Sequence, residues 1–251
     1  MRRVVLMTGA SRGIGAAAAR LAASKGWAVV VNYCERADAA HAVVEAIRAD
    51  GGIAHAMRAD VGEPDGVARL FAAFDQTLGA HGRLAGLVNN AGIVASAARV
   101  DAMDWTRSER LLRVNTLGAL ACAREAVRRM STRYGGSGGS IVNVSSAASR
   151  LGSPGQYVDY AMSKAALEAM SLGLAKEVAE EGIRVNAVRP GLIDTEIHAS
   201  GGDPGRLERL VSSVPMRRSG SAHEVAEAIV WLLSDASSYC TASILDVTGG
   251  R

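Results

Sequence analysis

Short apolar runs recur along the chain, separated by longer Ala-rich stretches with helical periodicity. The runs are Val4–Thr8, Trp27–Tyr33, Ile53–Asp60, Leu84–Asn90, Ser140–Ser146, Ile183–Pro190 and Ser243–Gly249. Their Val and Ile content is nearly continuous rather than alternating with polar residues, as expected of strands buried on both faces. Such strands, separated by helical segments, predict an α/β fold built on one doubly wound parallel sheet of about seven strands, with helices on both faces. The Gly/Ser-rich stretch Gly135–Gly139 stands directly before a predicted strand and reads as a turn, so residues 1–251 are expected to form a single domain.

Composition narrows the function classes. A chain of 251 residues, 49% of them hydrophobic, can bury a full core. The formal charge of +3 comes from scattered Lys and Arg, without the clustering that nucleic-acid binding needs. Arg124, Arg128, Arg129 and Arg133 gather near the end of a predicted helix, where its dipole favours cations; docking of an acidic carrier protein is the sharper alternative. Cys34, Cys122 and Cys240 are too far apart for a disulfide framework, and His41, His55, His81, His198 and His223 lack metal-ligand spacing. No metal is therefore expected, and a reduced, cytoplasmic setting fits best. The apolar run after Met1 stops at Met7, too short for a signal peptide, and no stretch approaches the ~20 apolar residues of a membrane span.

The first predicted strand leads into TGASRGIG, Thr8–Gly15, and then into a strong helix former ending at Gly26. Gly9, Gly13 and Gly15 allow a tight turn, close approach of backbone to a diphosphate and close packing of helix on sheet, and the helix N-terminus then faces the anion. The position of this triplet, between the first strand and the first helix, makes it a dinucleotide cradle of Rossmann type. At the end of the second strand an acid would hold an adenosine 2′-hydroxyl and repel a 2′-phosphate. Asn32 and Tyr33 stand there instead, with Arg12 and Arg36 nearby to meet a phosphate. NADP(H) is therefore favoured over NAD(H), which remains the alternative because Glu35 would reverse the preference if turned inward.

Tyr160 and Lys164 are four residues apart, so on a helix they share a face with roughly 6 Å between Cβ atoms. A nearby ammonium favours the phenolate and brings a phenol of pKa near ~10 towards useful proton transfer. Tyr160 is accordingly the acid/base candidate. Tyr157 on the same helix would lie about 10.5 Å from Lys164 along the axis, too far for that role; it reads as a substrate-side wall or as core packing.

TGASRGIG, NNAG at Asn89–Gly92, Asn115 in RVNTLGA, VNVSS before YAMSK, and RPGLIDT at Arg189–Thr195 together resemble the single-domain branch of the short-chain dehydrogenase/reductase family. The pattern is similar to bacterial members of the sugar 1-dehydrogenase-like and 3-oxoacyl-carrier-protein reductase-like kind. The resemblance implies an oxidoreductase acting on a secondary alcohol or a ketone, with Ser146, Tyr160, Lys164 and Asn115 as catalytic residues. It implies a cofactor cleft made by Gly9, Ser11, Arg12, Gly13, Ile14 and Gly15, by Asn32, Tyr33, Asp60 and Val61, by Asn89, Ala91 and Gly92, and by Pro190, Gly191, Ile193 and Thr195, with Tyr160 and Lys164 at its floor. It also implies a homotetramer or homodimer, paired through helices near Asp104–Arg133 and Tyr157–Glu181, and a small-molecule carbonyl or alcohol substrate without nucleic-acid or membrane partners. A non-catalytic sensor of NADP(H) is the second reading, although a sensor has no need of the Ser146, Tyr160, Lys164 and Asn115 set.

The serine assignment is the least constrained. Neighbouring side chains on a strand face opposite ways, so Ser145 and Ser146 cannot both reach a cleft. Ser146 lies fourteen positions before Tyr160, one more than the family's usual spacing. A loop containing Pro154 and two glycines can absorb that residue. Ser146 is the first choice, with Ser145 and Ser149 behind it. Residues 195–218 should supply the substrate side as a flap, with SGGDPG as a turn and GRLERLV as a short helix.

Overall fold

The computed structural model describes residues 1–78, 82–197, 202 and 205–251. His81, His198 and most of the SGGDPG turn lie outside the described residues. Nine strands are described: β1 Arg2–Met7, β2 Ala28–Tyr33, β3 Ile53–Arg58, β4 Gly82–Asn89, β5 Gly139–Val144, β6 Ile183–Pro190, β7 Ile193–Asp194, β8 Gly220–Ser221 and β9 Ile244–Val247. The described helices are α1 Gly13–Ser24, α2 Ala37–Ala49, α3 Pro64–Leu78, α4 Trp105–Leu112, α5 Ala119–Met130, α6 Ala148–Leu151, α7 Val158–Val178, α8 Arg206–Leu210 and α9 Ala222–Leu233. Seven strands form one parallel sheet in the order β3-β2-β1-β4-β5-β6-β9. This is the doubly wound Rossmann-type architecture that the apolar runs predict.

The unbroken hydrophobicity of the strands has a direct cause in this packing. In β1, Val5 and Met7 enter one core beside Ala18, Ala22, Val225 and Ile229 of α1 and α9, whereas Val4 and Leu6 enter the other beside Leu70, Phe71 and Phe74 of α3 and Met130 of α5. Successive residues face opposite ways, and here both faces are covered. The small side chains Ala18, Ala19 and Ala22 let α1 lie close against the sheet and α9.

Strand order reverses between β1 and β4, where a crevice opens at the carboxyl ends of the strands. Three local features there depart from the sequence reading. The helix predicted through Asp104–Arg133 is interrupted by a π-helical segment, Arg113–Gly118, which contains Asn115. A Cβ on Gly118 would stand 2.4 Å from the Val61 carbonyl oxygen, so this segment packs against the turn that follows β3 only because the residue is glycine. The loop before Tyr160 contains the short helix α6, and Tyr157 is the N-cap of α7 rather than a member of its helical face. A two-residue parallel ladder of Ile193 with Gly220 and Asp194 with Ser221 joins the two ends of the predicted flap, an element too short for periodicity to reveal.

Candidate functional site

The glycine loop and the NNAG segment meet across the β1–β4 crevice, and their backbones are fixed by sterics. Gly9 has φ +60°, and a Cβ on it would come within 2.8 Å of Ala91 Cα. A Cβ on Gly15 would stand 2.5 Å from Asn90 Nδ2. Both positions therefore exclude any side chain. Thr8 Oγ1 accepts the N–H groups of Asn90 and Ala91 at 3.1 and 3.0 Å, and Asn90 Nδ2 donates to the carbonyls of Thr8 and Gly9, both at 2.9 Å. Asn32 completes the frame: its Oδ1 accepts the Gly9 N–H, and its Nδ2 donates to the carbonyls of Met57 and Ala59. Asn32 thus borders the cleft, with an amide that braces the loop.

A cavity of about 300 Å³ lies over this frame, lined by Gly9, Ser11, Arg12, Gly13, Ile14, Asn32, Tyr33, Asp60, Val61, Ala91, Gly92 and Thr195, all expected from the sequence. Glu35 and Arg36 both border it. Arg12, at the N-cap of α1, is ion-paired with Glu196 at 2.8 Å. Asp60 Oδ2 accepts a 2.6 Å bond from Arg110 of α4, while its Oδ1 accepts the Gly62 N–H. Burial alone would raise the Asp60 carboxyl, but Arg110 and the Gly62 N–H outweigh it and hold the group below the usual carboxylate range. A glycine cradle closed to any Cβ, ending at a helix N-terminus without a side-chain cap, fits the diphosphate of a dinucleotide.

A second cavity, of about 450 Å³, adjoins the first and shares Ile14, Asn90, Gly92, Thr195 and Ile197 with it. Ser146, Tyr160 and Lys164 meet here beside Pro190, Gly191 and Ile193. Lys164 is 3% exposed; its Nζ donates to the Val144 carbonyl at 2.8 Å and stands 5.7 Å from the Tyr160 ring centroid. Burial pulls this ammonium down from its ordinary value to about 8. Ser145 and Ser146 stand just past the end of β5 and both border this cavity, contrary to the expectation that only one could. They differ in their partners, Ser145 Oγ donating to Glu168 of α7 at 2.6 Å and Ser146 Oγ accepting the Ala148 N–H at 3.1 Å.

Three expected residues line neither cavity: Gly15, packed against Asn90, and Asn115 and Asn89 behind the cleft wall. Asn115 is fully buried; its Oδ1 accepts the Ile93 N–H at 2.8 Å, and its Nδ2 donates to the Ile93 carbonyl and to Ser163 Oγ. Asn89 lines neither cavity, because its Nδ2 donates inward to the Ala119 carbonyl and to Asn143 Oδ1. Its neighbour Asn90 lines both, an outcome that side-chain alternation along β4 makes readable. The sequence reading also missed Arg110 and Glu196, which reach the site from segments without a motif. It missed Glu168 too, although Glu168 lies four residues beyond Lys164 on the same helix. The arginines of α5 are largely paired: Arg124 and Arg128 with Glu125, and Arg129 with Glu125 and Asp75. Among the described residues no helix is long and apolar enough to cross a membrane.

Residues 9–251 match the family described as Enoyl-(Acyl carrier protein) reductase. Uncharacterized oxidoreductase YgfF of Escherichia coli strain K12 is 53% identical over 249 residues, covering 99% of each chain. A short-chain type dehydrogenase/reductase of Picea abies is 37% identical, over 99% of this chain and 92% of its own. A 3-oxoacyl-[acyl-carrier-protein] reductase of Synechocystis is 37% identical, over 99% and 96%. With the glycine cradle at the strand-order switch and Tyr160 and Lys164 at one cleft, the chain belongs to the short-chain dehydrogenase/reductase family of oxidoreductases.

Proposed function

We propose that the chain is an NADP(H)-dependent oxidoreductase that interconverts a secondary alcohol and a ketone. The observation that carries this reading is the convergence of Ser146, Tyr160 and Lys164 on one cavity that opens onto the glycine cradle. Gly9–Gly15 and Asn90–Gly92 would hold the diphosphate end of the dinucleotide, and Lys164, Ile193 and Thr195 its nicotinamide end. When bound, it supplies or accepts the hydride.

The chain's own residues handle the proton and the geometry. In reduction the Tyr160 hydroxyl gives its proton to the substrate oxygen, and in oxidation the Tyr160 phenolate takes it back; the Ser146 hydroxyl holds that oxygen in place in both directions. The buried Lys164 ammonium favours the phenolate beside it. Asn115 fixes the Gly92–Ile93 backbone through Ile93, which keeps the cleft wall in register with Lys164. Leu151, Leu192, Ile197 and Leu210 give the substrate side apolar walls that exclude water, with Gln156, Tyr157 and Arg251 as its polar positions. These walls suit a compact ketone or the 3-oxo end of an acyl thioester. Of the predicted flap, the described residues Thr195, Ile197 and Leu210 border this end and would close over it.

Arg12 and Arg36 carry the preference for the 2′-phosphate, with Glu196 and Glu35 opposing it. Exposed Leu117 and Leu120, and Met162 and Leu172 of α7, suit helix pairing in a homotetramer or homodimer. Fluorescence titration with NADPH and NADH, followed by turnover assays on acetoacetyl-coenzyme A, simple ketones and, in oxidation, aldoses, tests the reading. NADPH should bind more tightly and at least one class should turn over. Arg12→Ala should weaken NADPH about tenfold more than NADH, as loss of a charge-assisted bond predicts. Equal losses would remove the 2′-phosphate argument.

A further inference from the structure

Under the two serines lies a buried ion chain that the proton-transfer set does not use. Glu168 is 9% exposed, and its Oε1 accepts Ser145 Oγ at 2.6 Å, Ser149 Oγ at 2.6 Å and Arg189 Nε at 2.9 Å. Its Oε2 accepts Arg189 Nη2 at 2.7 Å. Arg189, 8% exposed, continues through Nη1 to Asp246 Oδ1 at 2.7 Å, and Arg150 closes the chain on Asp246 Oδ2 at 2.7 Å. The charges alternate, acid to base to acid to base, from beneath the cleft to solvent. They join α7, β6, β9 and α6.

The placement of Ser146 within this chain is specific. Its neighbour Ser145 and, three positions on, Ser149 are both tethered to the one carboxylate oxygen. Ser149 Oγ also lies 2.7 Å from the Ser146 carbonyl oxygen, so that its single proton is shared between two acceptors. Ser146, which lines the cavity, is thus held from both flanks, and its Oγ accepts the Ala148 N–H. Burial alone would raise the Glu168 carboxyl, but Arg189 and the two serine hydroxyls outweigh it and keep the group below the usual range, so it accepts from every partner at neutral pH.

We propose that Glu168 is a positioning residue for the reaction, acting through Ser145 and Ser149 to hold the Ser146 hydroxyl against the substrate oxygen. Replacing a buried ion pair by well-packed apolar side chains is often neutral for stability, so stability alone does not account for this pair, which braces the loop that carries Ser146. The proposal rests on the reading of Ser146 as the serine that meets the substrate.

Glu168→Gln keeps the shape of the side chain but gives Arg189 one acceptor in place of two. With the best member of the substrate panel, kcat should fall about tenfold, the NADPH dissociation constant should stay within about twofold, and Glu168→Asp should recover part of the loss. In a Ser146→Ala background, the same substitution should cost less than about twofold. An equal loss in both backgrounds would overturn the proposal and leave Glu168 as a fold-stabilising group. Full kcat in Ser146→Ala alone would instead overturn the reading of Ser146. Should Glu168→Gln fold poorly, Ser149→Ala removes one tether without stranding a charge, and its loss of kcat should likewise vanish in the Ser146→Ala background. Hydrogen–deuterium exchange over residues 145–152 gives a readout without substrate: faster exchange there with β2 unchanged supports the tether, and unchanged exchange overturns it.

Discussion

The two ends of the cleft are built in opposite ways. At the glycine cradle, backbone meets backbone: Gly9 faces Ala91 across 2.8 Å from the position of a Cβ, and Thr8, Asn32 and Asn90 make bonds to main-chain groups. At the substrate end, walls come from side chains such as Leu151, Ile197 and Leu210, carried on short elements, with α6 four residues long and α8 five. The first arrangement admits few sequences because an added carbon collides with backbone. The second admits many, because an apolar wall changes shape without breaking the frame. One frame can therefore serve a common dinucleotide while substrate choice varies at its edge.

The sharpest way to separate chemistry from both ends is Tyr160→Phe, which removes one hydroxyl and neither wall. Turnover should fall about 10³-fold, with the NADPH dissociation constant within about twofold by fluorescence titration; retained activity would defeat the assignment. Lys164→Met should cost about 10²-fold in kcat. It also carries a signature in pH. The folded Lys164 titrates near 8 and the unfolded one near its ordinary 10.5, so between these values the unfolded chain binds the extra proton and stability rises with pH. Chemical denaturation across this window should show the stability difference between wild type and Lys164→Met growing with pH; the comparison cancels the opposing fall from Cys122, whose thiol burial raises to about 12. Gly9→Ala tests the cradle: with φ +60° and the Ala91 collision, it should cost about 1–3 kcal/mol in stability and weaken NADPH about tenfold.

The contrast between the ends also explains what could be read from the sequence. The five inner strands β2, β1, β4, β5 and β6 are visible because double-sided burial writes nearly continuous apolar residues into the chain, whereas the edge strands β3 and β9 are only partly buried and show through their short apolar residues between turn signals. The glycine cradle is visible because steric exclusion permits a single residue type. Ser146 comes from the family resemblance rather than from alternation, since both serines border the cavity and only their hydrogen-bond partners differ. By contrast, the β7–β8 ladder is two residues long and has no period, and the π-helical segment at Asn115 leaves the apolar pattern of its helix intact. Glu196 and Arg110 meet Arg12 and Asp60 only through tertiary contact. Glu168 was readable in part: a carboxylate one turn beyond a buried lysine shares its face, but its partners Arg189 and Asp246 come from strands far along the chain.

The smallest expected effect bears most directly on the difference between the two ends. Leu151, the last residue of α6, is 47% exposed and lines the substrate cavity, so truncation to alanine removes wall without opening a closed core. Its methyl groups are half solvated already, which limits the loss to about threefold in KM for an apolar substrate, well below the cost of an enclosed methyl pocket. Cofactor affinity and melting temperature should not move. What should move is the ratio of kcat/KM between a short ketone and a longer acyl thioester, because only the longer substrate reaches α6. If Leu151→Ala instead weakened NADPH as Gly9→Ala does, the substrate wall would be part of the cradle's frame, and the separation between a fixed cofactor end and a variable substrate end would not hold.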